Sequence, residues 1–355
     1  MLNLNNKKIL ITGHTGFKGT YLAKTLLMMG ANVSGYSLKA KRGDLYLKTK
    51  IKNEINEKIA DIRDINTLNS FVKKIKPDYI IHLAAQPLVR DAYKNPRYTY
   101  ETNVMGTINI LECVRKNSSV SSFLNVTTDK VYENNGLIKH AFKEDEKLDG
   151  YDPYSNSKSC SEIVTHSYKK SFLRDIAIST ARAGNVLGGG DNAKDRIIPD
   201  CVRASIKGED IIIRNPHSIR PYQYVMEPIL AYIDIVYEQS KDISKEGYYN
   251  IGPEKISCIQ TIEIVKKFCN YWNTTTFDKK NKITKQARYK IQIDNNAPHE
   301  AGLLMLDNNK IKKILNIKPR LSIDDTIKRT IEFYQRMNLG ENIDKLLEED
   351  IKTLL

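Results

Sequence analysis

The 355-residue chain lacks several features that would assign it to a class at once. No run approaches the roughly 18 consecutive apolar residues of a membrane span, so no transmembrane helix is expected. There is no Cys-x-x-Cys pair, and the five cysteines, Cys113, Cys160, Cys201, Cys258 and Cys269, are scattered and odd in number. This argues against a disulfide frame or a zinc site and for reduced, packed thiols; no metal is expected. Internal repeats and low-complexity segments are missing. Met1-Leu2-Asn3-Leu4-Asn5-Asn6 leads straight into an apolar run and leaves no room for a signal peptide, so a cytoplasmic location is expected. A basic stripe interleaved with aromatics is also missing, although 56 Lys and Arg against 42 Asp and Glu give a net charge of +14. The lysines are spread along a chain rich in Lys, Asn and Ile. A small anion such as a pyrophosphate fits this charge, and no nucleic-acid partner is expected.

What is present is ordinary for a globular chain: 41% apolar and 28% charged residues. Lys8-Ile9-Leu10-Ile11-Thr12 reads as a buried strand. Gly13-His14-Thr15-Gly16-Phe17-Lys18-Gly19 follows at once, and Tyr21, Leu22, Thr25, Leu26 and Met29 then recur at helical spacing up to Gly30. Strand, glycine loop and helix form the dinucleotide-binding arrangement, in which glycines allow close backbone approach and helix N–H groups face a pyrophosphate. Asn32–Tyr36 reads as a second strand. It ends in Ser37 rather than the acidic residue that usually holds the ribose of NAD, and Lys39, Lys41 and Arg42 follow. These residues leave the choice between NAD and NADP open. A third strand is expected at Ile59-Ala60-Asp61-Ile62, with Asp61 and Ile62 lining the adenine. A helix follows through Ile65, Leu68, Phe71, Val72 and Ile75, then a fourth strand over Asp78–Leu83. Ala84 and Ala85 are small residues at its C-terminal end, where ligands sit in open α/β sheets. His82 reads as a packed histidine, not a catalyst. Val104, Ile108, Leu111 and Val114 stripe the next helix. Ser122–Thr127 is a fifth strand, Tyr154 to about Ser171 a helix, and Ile176–Thr180 a sixth strand. The alternation predicts an α/β fold, a Rossmann-type doubly wound parallel sheet.

After Thr180 the pattern changes. Arg182 to Asp191, with Gly188-Gly189-Gly190, reads as a flexible loop. Ile198-Pro199 starts a helix, Ile211–Arg214 is a short strand, and a helix with Ile262, Val265, Cys269 and Trp272 precedes a strand at Lys290–Ile293. A last helix starts at Ser322, with Asp325 as a capping-box-like partner, and the charged tail from Gly340 is expected to fray. The expected division is a dinucleotide-binding domain over 1–180, partly rejoined by 227–252, and a smaller α/β substrate-binding lobe over 181–226 and 253–355.

The chemistry concentrates in Thr127-Thr128-Asp129-Lys130-Val131-Tyr132 and Tyr154-Ser155-Asn156-Ser157-Lys158. Tyr154 and Lys158 are four apart and share a helix face. A phenol, with a pKa near ~10, is a poor base at neutral pH, and a nearby cation favours its ionised form. Such a group can take a proton from an alcohol while hydride leaves for a nicotinamide. Thr128 can hydrogen-bond the same alcohol.

On these motifs the chain resembles the extended branch of the short-chain dehydrogenases/reductases, the nucleotide-sugar epimerases and dehydratases. The motifs are Gly13-x-x-Gly16-x-x-Gly19, His82-Leu83-Ala84-Ala85, Asn103-Val104-Met105-Gly106-Thr107 and Tyr154-x-x-x-Lys158. Asp129 and Lys130 narrow the choice. A 4-epimerase needs only oxidation, rotation and reduction. A 4,6-dehydratase must also remove the C5 proton and protonate the C6 hydroxyl, which calls for an added base and acid. Longer stretches are similar to the CDP-glucose 4,6-dehydratases: Gln86-Pro87-Leu88-Val89-Arg90, Ala183-Gly184-Asn185-Val186-Leu187, Asp195-Arg196-Ile197-Ile198-Pro199-Asp200 and His299-Glu300. The chain departs from that family at Asn192, Tyr222 and Tyr224, where tryptophan, tryptophan and histidine are expected.

The resemblance implies an NAD-dependent hydro-lyase acting on a CDP-sugar in deoxysugar biosynthesis for lipopolysaccharide or capsule, as a homodimer, with a homotetramer as the alternative. It implies catalytic roles for Thr128, Asp129, Lys130, Tyr154 and Lys158. It implies cofactor contacts from Gly13, Thr15, Gly16, Phe17, Lys18, Gly19, Ser37, Asp61, Ile62, Leu83, Ala84, Ala85 and Thr102, besides Tyr154 and Lys158. It implies substrate contacts from Gln86, Asn185, Arg196, Arg220, Tyr224 and His299. A lysine base requires a pKa lowered by burial or neighbouring cations. The rival readings are a dehydratase for another nucleotide hexose, a nucleotide-sugar epimerase and, remotely, a catalytically silent dinucleotide sensor.

Overall fold

A computed structural model describes residues 2–136, 140–274, 285–293 and 302–355. Seven parallel strands form one sheet in the order β11-β6-β5-β4-β1-β2-β3. They are β1 (Lys8–Thr12), β2 (Asn32–Ser37), β3 (Asn56–Ile59), β4 (Tyr79–His82), β5 (Ser122–Val126), β6 (Ala177–Ala183) and, later in the chain, β11 (Tyr248–Ile251). The central strands are continuous apolar runs because both faces are covered. Ile9, Ile11, Ile81, Leu124 and Val126 pack on one side, against Tyr21, Leu22 and Leu26 of α1 (Phe17–Met28). Leu10, Ile80, Phe123 and Ile178 pack on the other, against α2 (Ile65–Ile75) and, past two short helices α3 (Val89–Lys94) and α4 (Pro96–Tyr100), against α5 (Gly106–Arg115). This alternation follows from the two-residue period of a strand. α6 (Pro153–Ser171) follows β5 and packs beside α5.

Beyond β6, the short strands β7 (Val186–Leu187), β8 (Asp210–Ile213), β9 (Ile219–Pro221), β10 (Gln223–Tyr224), β12 (Cys258–Gln260) and β13 (Arg288–Ile291) pair as β10-β7, β12-β9 and β13-β8. With α7 (Ile197–Lys207) and α9 (Thr261–Thr274) they build a second core from Ile198, Val202, Phe268, Trp272, Ile327 and Tyr334. Between them α8 (Met226–Lys241) returns to the first sheet, burying Met226, Ile229, Ile233 and Val236. The chain ends with α10 (Asn309–Leu315), α11 (Ile323–Asn338) and α12 (Ile343–Lys352). Among the described residues no helix is long and apolar enough to cross a membrane. All five cysteines are unpaired.

Three expectations need correction. The third strand is Asn56–Ile59, three residues earlier than expected. It is a largely exposed edge strand, and Asp61 and Ile62 lie in the turn beyond it. The stretch Arg182–Asp191 is not a flexible loop. β6 extends to Ala183, Val186–Leu187 pairs with β10, and Gly188 to Asp191 are buried. The charged tail does not fray. α12 buries Leu346, Leu347 and Ile351 in the core of the seven-stranded sheet. Its Asp350 carboxylate accepts from Tyr21, Tyr224 and Arg329.

Candidate active site

The site forms at the C-terminal ends of β1, β4, β5 and β6. Gly13 follows β1 with φ +81°, a conformation that favours glycine. A Cβ there would lie 2.9 Å from the Ala84 nitrogen, and a Cβ on Gly19 would lie 2.2 Å from the Gly13 oxygen. These two glycines bring the loop onto the end of β4 and onto itself. Gly16 differs: it is exposed, and a Cβ there would meet only the Gly13 oxygen, at 3.4 Å. Its face of the loop and the uncapped start of α1 thus form a backbone cradle that a side chain would fill. The Thr15 hydroxyl donates to the Leu38 carbonyl (3.0 Å) and lies 2.8 Å from the Ser37 hydroxyl. Phe17 packs edge-on against Tyr21. Leu83 and Ala84 are tied to Thr12 by backbone N–H bonds, and Ala85 follows them, half-buried. Thr102 lies in a wide helical turn before α5, its buried hydroxyl without a hydrogen-bond partner.

Asp152 caps α6, accepting from the Tyr154 and Ser155 N–H groups at 3.0 and 3.1 Å, with Pro153 at the first helical position. Tyr154 is thereby fixed in the first turn and Lys158 one turn on. The Thr128 hydroxyl, two residues beyond β5, hydrogen-bonds the Tyr154 phenol. It also lies 3.0 Å from Asp129 Oδ1. Asp129 Oδ1 accepts from Lys130 Nζ at 3.0 Å, while Asp129 Oδ2 is buried and has no hydrogen-bond partner. The Lys130 side chain is 25% exposed and the Asp129 side chain 1%, so the pair is a buried acid reached by a partly solvated cation. Burial pushes the Tyr154 phenol up to about 12; the Thr128 hydrogen bond and the Arg196 guanidinium act against this, and Asp129 adds to it. Lys158 donates to the Val126 carbonyl at 2.8 Å, and burial lowers it to about 8. The Arg196 guanidinium is a further cation acting on the phenol, which the sequence did not place beside it.

The remaining predicted residues divide. Arg196 is held by Asp191 at 2.8 Å, and Asn185 is half-buried between β6 and β7. Arg220 is buried, with Nη1 donating to the Ile219 carbonyl. The Gln86 side chain is buried. It spends its amide on Leu88 and Thr99, because the turn after β4 needs those bonds. Tyr224 is fully buried, and its hydroxyl goes to Asp350 on α12, away from the cleft. Asp61 is tied to Arg63, and Ile62 packs under Gly106. His299 and Glu300 lie outside the described residues. His82 is packed as expected, bonded to Thr12 at 2.7 Å and to Thr107 at 3.2 Å and lowered by burial to about 3.

Two groups escaped the sequence. Glu162, one turn beyond Lys158, is buried and takes Thr127 at 2.5 Å and the Arg182 fork at 2.6–2.9 Å. Arg182 also bonds the Tyr132 hydroxyl at 2.7 Å. An arginine inside an apolar strand and a glutamate on the inner face of α6 were the signal. His14 bonds Glu57 of β3 at 3.0 Å beneath Gly35. A cavity of about 700 Å³ opens beside the Arg182–Glu162 pair, lined also by Glu144, His166, Tyr248 and Lys310; none of the predicted site residues lines it.

A family model for GDP-mannose 4,6 dehydratase matches residues 10–330. The CDP-glucose 4,6-dehydratase of Salmonella typhimurium is 38% identical over 349 residues, 95% of this chain and 93% of that one. The dTDP-D-glucose 4,6-dehydratase of Dictyostelium discoideum is 31% identical over 75% of this chain and 64% of its own. Among solved structures, the dTDP-glucose 4,6-dehydratase of Bacillus anthracis in complex with NAD superposes with a TM-score of 0.76 at 22% identity, over 96% of this chain and 99% of that one. The UDP-glucuronic acid 4-epimerase of Bacillus cereus with UDP-glucuronic acid and NAD gives 0.78 at 21% identity, over 93% and 99%. At these identities the structures establish a shared fold.

Proposed function

The chain belongs to the GDP-mannose 4,6-dehydratase family, and we propose that its own reaction converts CDP-D-glucose to CDP-4-dehydro-6-deoxy-D-glucose and water. The observation that carries this reading is the Asp129–Lys130 pair beside the Thr128–Tyr154 hydroxyls. Oxidation at C4 alone calls for the two hydroxyls. The additional acid and cation suit elimination across C5 and C6. The 38% identity with a CDP-glucose enzyme supports the choice of nucleotide.

NAD fits the Gly16 cradle, the Thr15–Ser37 hydroxyls and the orphaned Thr102 hydroxyl, and when bound it supplies a hydride acceptor at C4 and a donor at C6. The absence of a carboxylate at Ser37, with Lys39, Lys41 and Arg42 beyond it, leaves room for NADP. Tyr154 takes the C4 hydroxyl proton, helped by Thr128 and by the Arg196 charge. Lys130 then removes the C5 proton and Asp129 protonates the C6 hydroxyl. Moving one proton along the 3.0 Å contact converts an ammonium–carboxylate pair into the amine–acid pair these two steps need. Arg196, Arg220 and Asn185 are assigned to the sugar nucleotide, Arg for its fork geometry. A dinucleotide-binding unit is assigned to 1–180 and 227–252 and the sugar nucleotide largely to the rest; the core of Ile198, Val202, Phe268, Trp272 and Ile327 supports this division, while Leu346, Leu347 and Ile351 of the tail pack with the seven-stranded sheet.

The test is incubation with CDP-D-glucose in D2O without added reductant, followed by NMR. A C6 methyl group carrying deuterium at C5 is expected. Recovery of only the C4 epimer, or no conversion of any CDP-, UDP-, dTDP- or GDP-hexose, overturns the dehydratase reading.

Met105 and Ile163, on the outer faces of the wide turn and α6, are 49% and 55% exposed, and Val104, Ile108 and Val164 beside them are half-buried. These exposed apolar groups on the two helices support a homodimer through them, to be checked by light scattering. Five unpaired thiols suit a reducing cytoplasm.

A further inference from the structure

Within the stretch Ala183-Gly184-Asn185-Val186-Leu187, Asn185 has a proposed part in binding and Gly184 has none. Gly184 is buried directly after β6. Its φ is not positive, so backbone conformation does not demand glycine there; space does. A Cβ at this position would lie 2.6 Å from Pro221 Cγ, 3.1 Å from the Pro221 oxygen and 3.2 Å from Asp129 Oδ2. Pro221 lies in β9 and pairs with Cys258 of β12. Cys258 is close enough to feel the same carboxylate: burial, then Asp129, pushes its thiol up to about 11. The Asp129 carboxyl is thus held in two different ways. Oδ1 is held by hydrogen bonds, with Thr128 and Lys130 both at 3.0 Å. Oδ2 is buried and has no hydrogen bond, so it is located only by the shape of the wall at Gly184 and Pro221.

Elimination depends on where that carboxyl stands. Lys130 takes the C5 proton, the C5–C6 double bond forms as the C6–O bond breaks, and a proton from Asp129 makes the departing hydroxide water. We infer that Gly184 is a positioning residue for this step: its missing side chain lets the Asp129 carboxyl lie back against β9, which fixes the place from which the proton reaches C6. The inference rests on the dehydratase reading above. A Cβ at position 184 has two neighbours to displace. At 3.2 Å the Asp129 carboxyl must give by a few tenths of an ångström, which moves the acid relative to C6. At 2.6 Å the Pro221 ring must shift, which disturbs Arg220 beside it, a residue assigned to the sugar nucleotide. The first displacement costs rate in one step and the second costs binding, so the two separate in an assay.

The experiment compares wild type, Gly184→Ala and Gly184→Ala/Pro221→Ala on CDP-D-glucose in D2O. It follows nicotinamide absorbance, deuterium at C5 of recovered substrate and the C6 methyl product. Gly184→Ala should oxidise C4 and exchange C5 at the wild-type rates, because Tyr154, Thr128 and Lys130 keep their places. It should lose water about 10- to 100-fold more slowly, the usual cost of a catalytic group displaced by up to about an ångström. Recovered substrate then carries deuterium at C5 while reduced nicotinamide accumulates. A purely structural role for Gly184 would slow oxidation, exchange and water loss together, and that result overturns the inference. The double variant removes the 2.6 Å contact with the proline ring and keeps the 3.2 Å approach to Asp129. It should therefore retain the slow water loss, and it carries the test should the single variant not fold. Wild-type water loss in either variant shows that Asp129 does not depend on Gly184 and overturns the inference alone. Wild type that converts no nucleotide hexose overturns the dehydratase reading and this inference with it.

Discussion

Replacing Lys130 by methionine separates the two halves of the proposed reaction. Methionine keeps most of the stem volume and removes the amine. Asp129 retains the Thr128 hydroxyl but loses the 3.0 Å ammonium contact, and its Oδ2 has no hydrogen-bond partner to compensate. Breaking a fully buried pair costs about 3–5 kcal/mol. Lys130 is a quarter exposed, so water screens part of the loss and about 1–2 kcal/mol is expected. The variant should therefore fold. Its phenol, Thr128 and Arg196 are untouched, so oxidation at C4 should proceed. Removal of the C5 proton should slow by 10²–10⁴, the usual worth of a positioned base, or about 3–5 kcal/mol of barrier. With elimination blocked, reduced nicotinamide should accumulate on mixing with substrate, visible by its absorbance. Deuterium should not enter C5 of substrate recovered from D2O. Exchange at C5 at the wild-type rate would show that another group is the base.

Glu162→Gln leaves the Arg182 guanidinium buried without its counter-charge, and a loss of about 3–5 kcal/mol in urea denaturation is expected; a change below about 1 kcal/mol would mean that Tyr132 and Glu144 suffice to hold Arg182. Asp350→Ala removes the acceptor of two buried phenols, Tyr21 and Tyr224, at about 1–3 kcal/mol each, so the melting temperature should fall although α12 lies in the charged tail. Lys18→Met should stabilise the ligand-free protein. Burial lowers its ammonium to about 7 in the folded protein, below the value of an unfolded lysine, so the unfolded chain binds more protons between about pH 7 and 10.5, and wild-type stability rises across that window. The gain from methionine, about 2–4 kcal/mol below pH 7, should shrink to nothing by about pH 10.5. A variant less stable than wild type at pH 6 would show that Lys18 is a structural cation.

Much of this architecture is legible in the sequence where burial is two-sided. Lys8–Thr12, Tyr79–His82 and Ser122–Val126 are central strands, and their apolar runs announce them. β3 is not legible for the opposite reason. It is the sheet edge, Asn56-Glu57-Lys58-Ile59 is mostly exposed, and the apolar residue that drew the eye, Ile62, is buried in the next turn under Gly106. The tail misleads through composition. Its charges cover the outer face of α12, while Leu347 and Ile351, one turn apart, carry the burial. In the site, residue types and spacing locate Thr128, Asp129, Lys130 and Tyr154, because short local segments place them. What spacing does not convey is direction: that Gln86 turns back on its own loop, that Tyr224 points to α12, or that Lys18 faces inward. The first is set within one loop and the helix after it, and the other two by contacts between segments more than a hundred residues apart.

The Arg182–Glu162 pair explains how the two chemical devices stay in register. Oxidation needs Tyr154 on α6, and elimination needs Asp129 and Lys130 on the turn after β5. Nothing in the local sequence fixes the distance between a helix and a turn. Glu162 accepts from Thr127, the residue before Thr128, and from Arg182 on β6, while Lys158 on the same helix donates to Val126. The end of β5 is therefore held to α6 at two successive residues, one turn apart on the helix, and Arg182 ties both to β6. Because these groups are buried, small displacements lose hydrogen bonds that water cannot replace, so the clamp is stiff. Glu162→Gln should accordingly slow C4 oxidation and C5 exchange together, in contrast to Lys130→Met, which slows only the second.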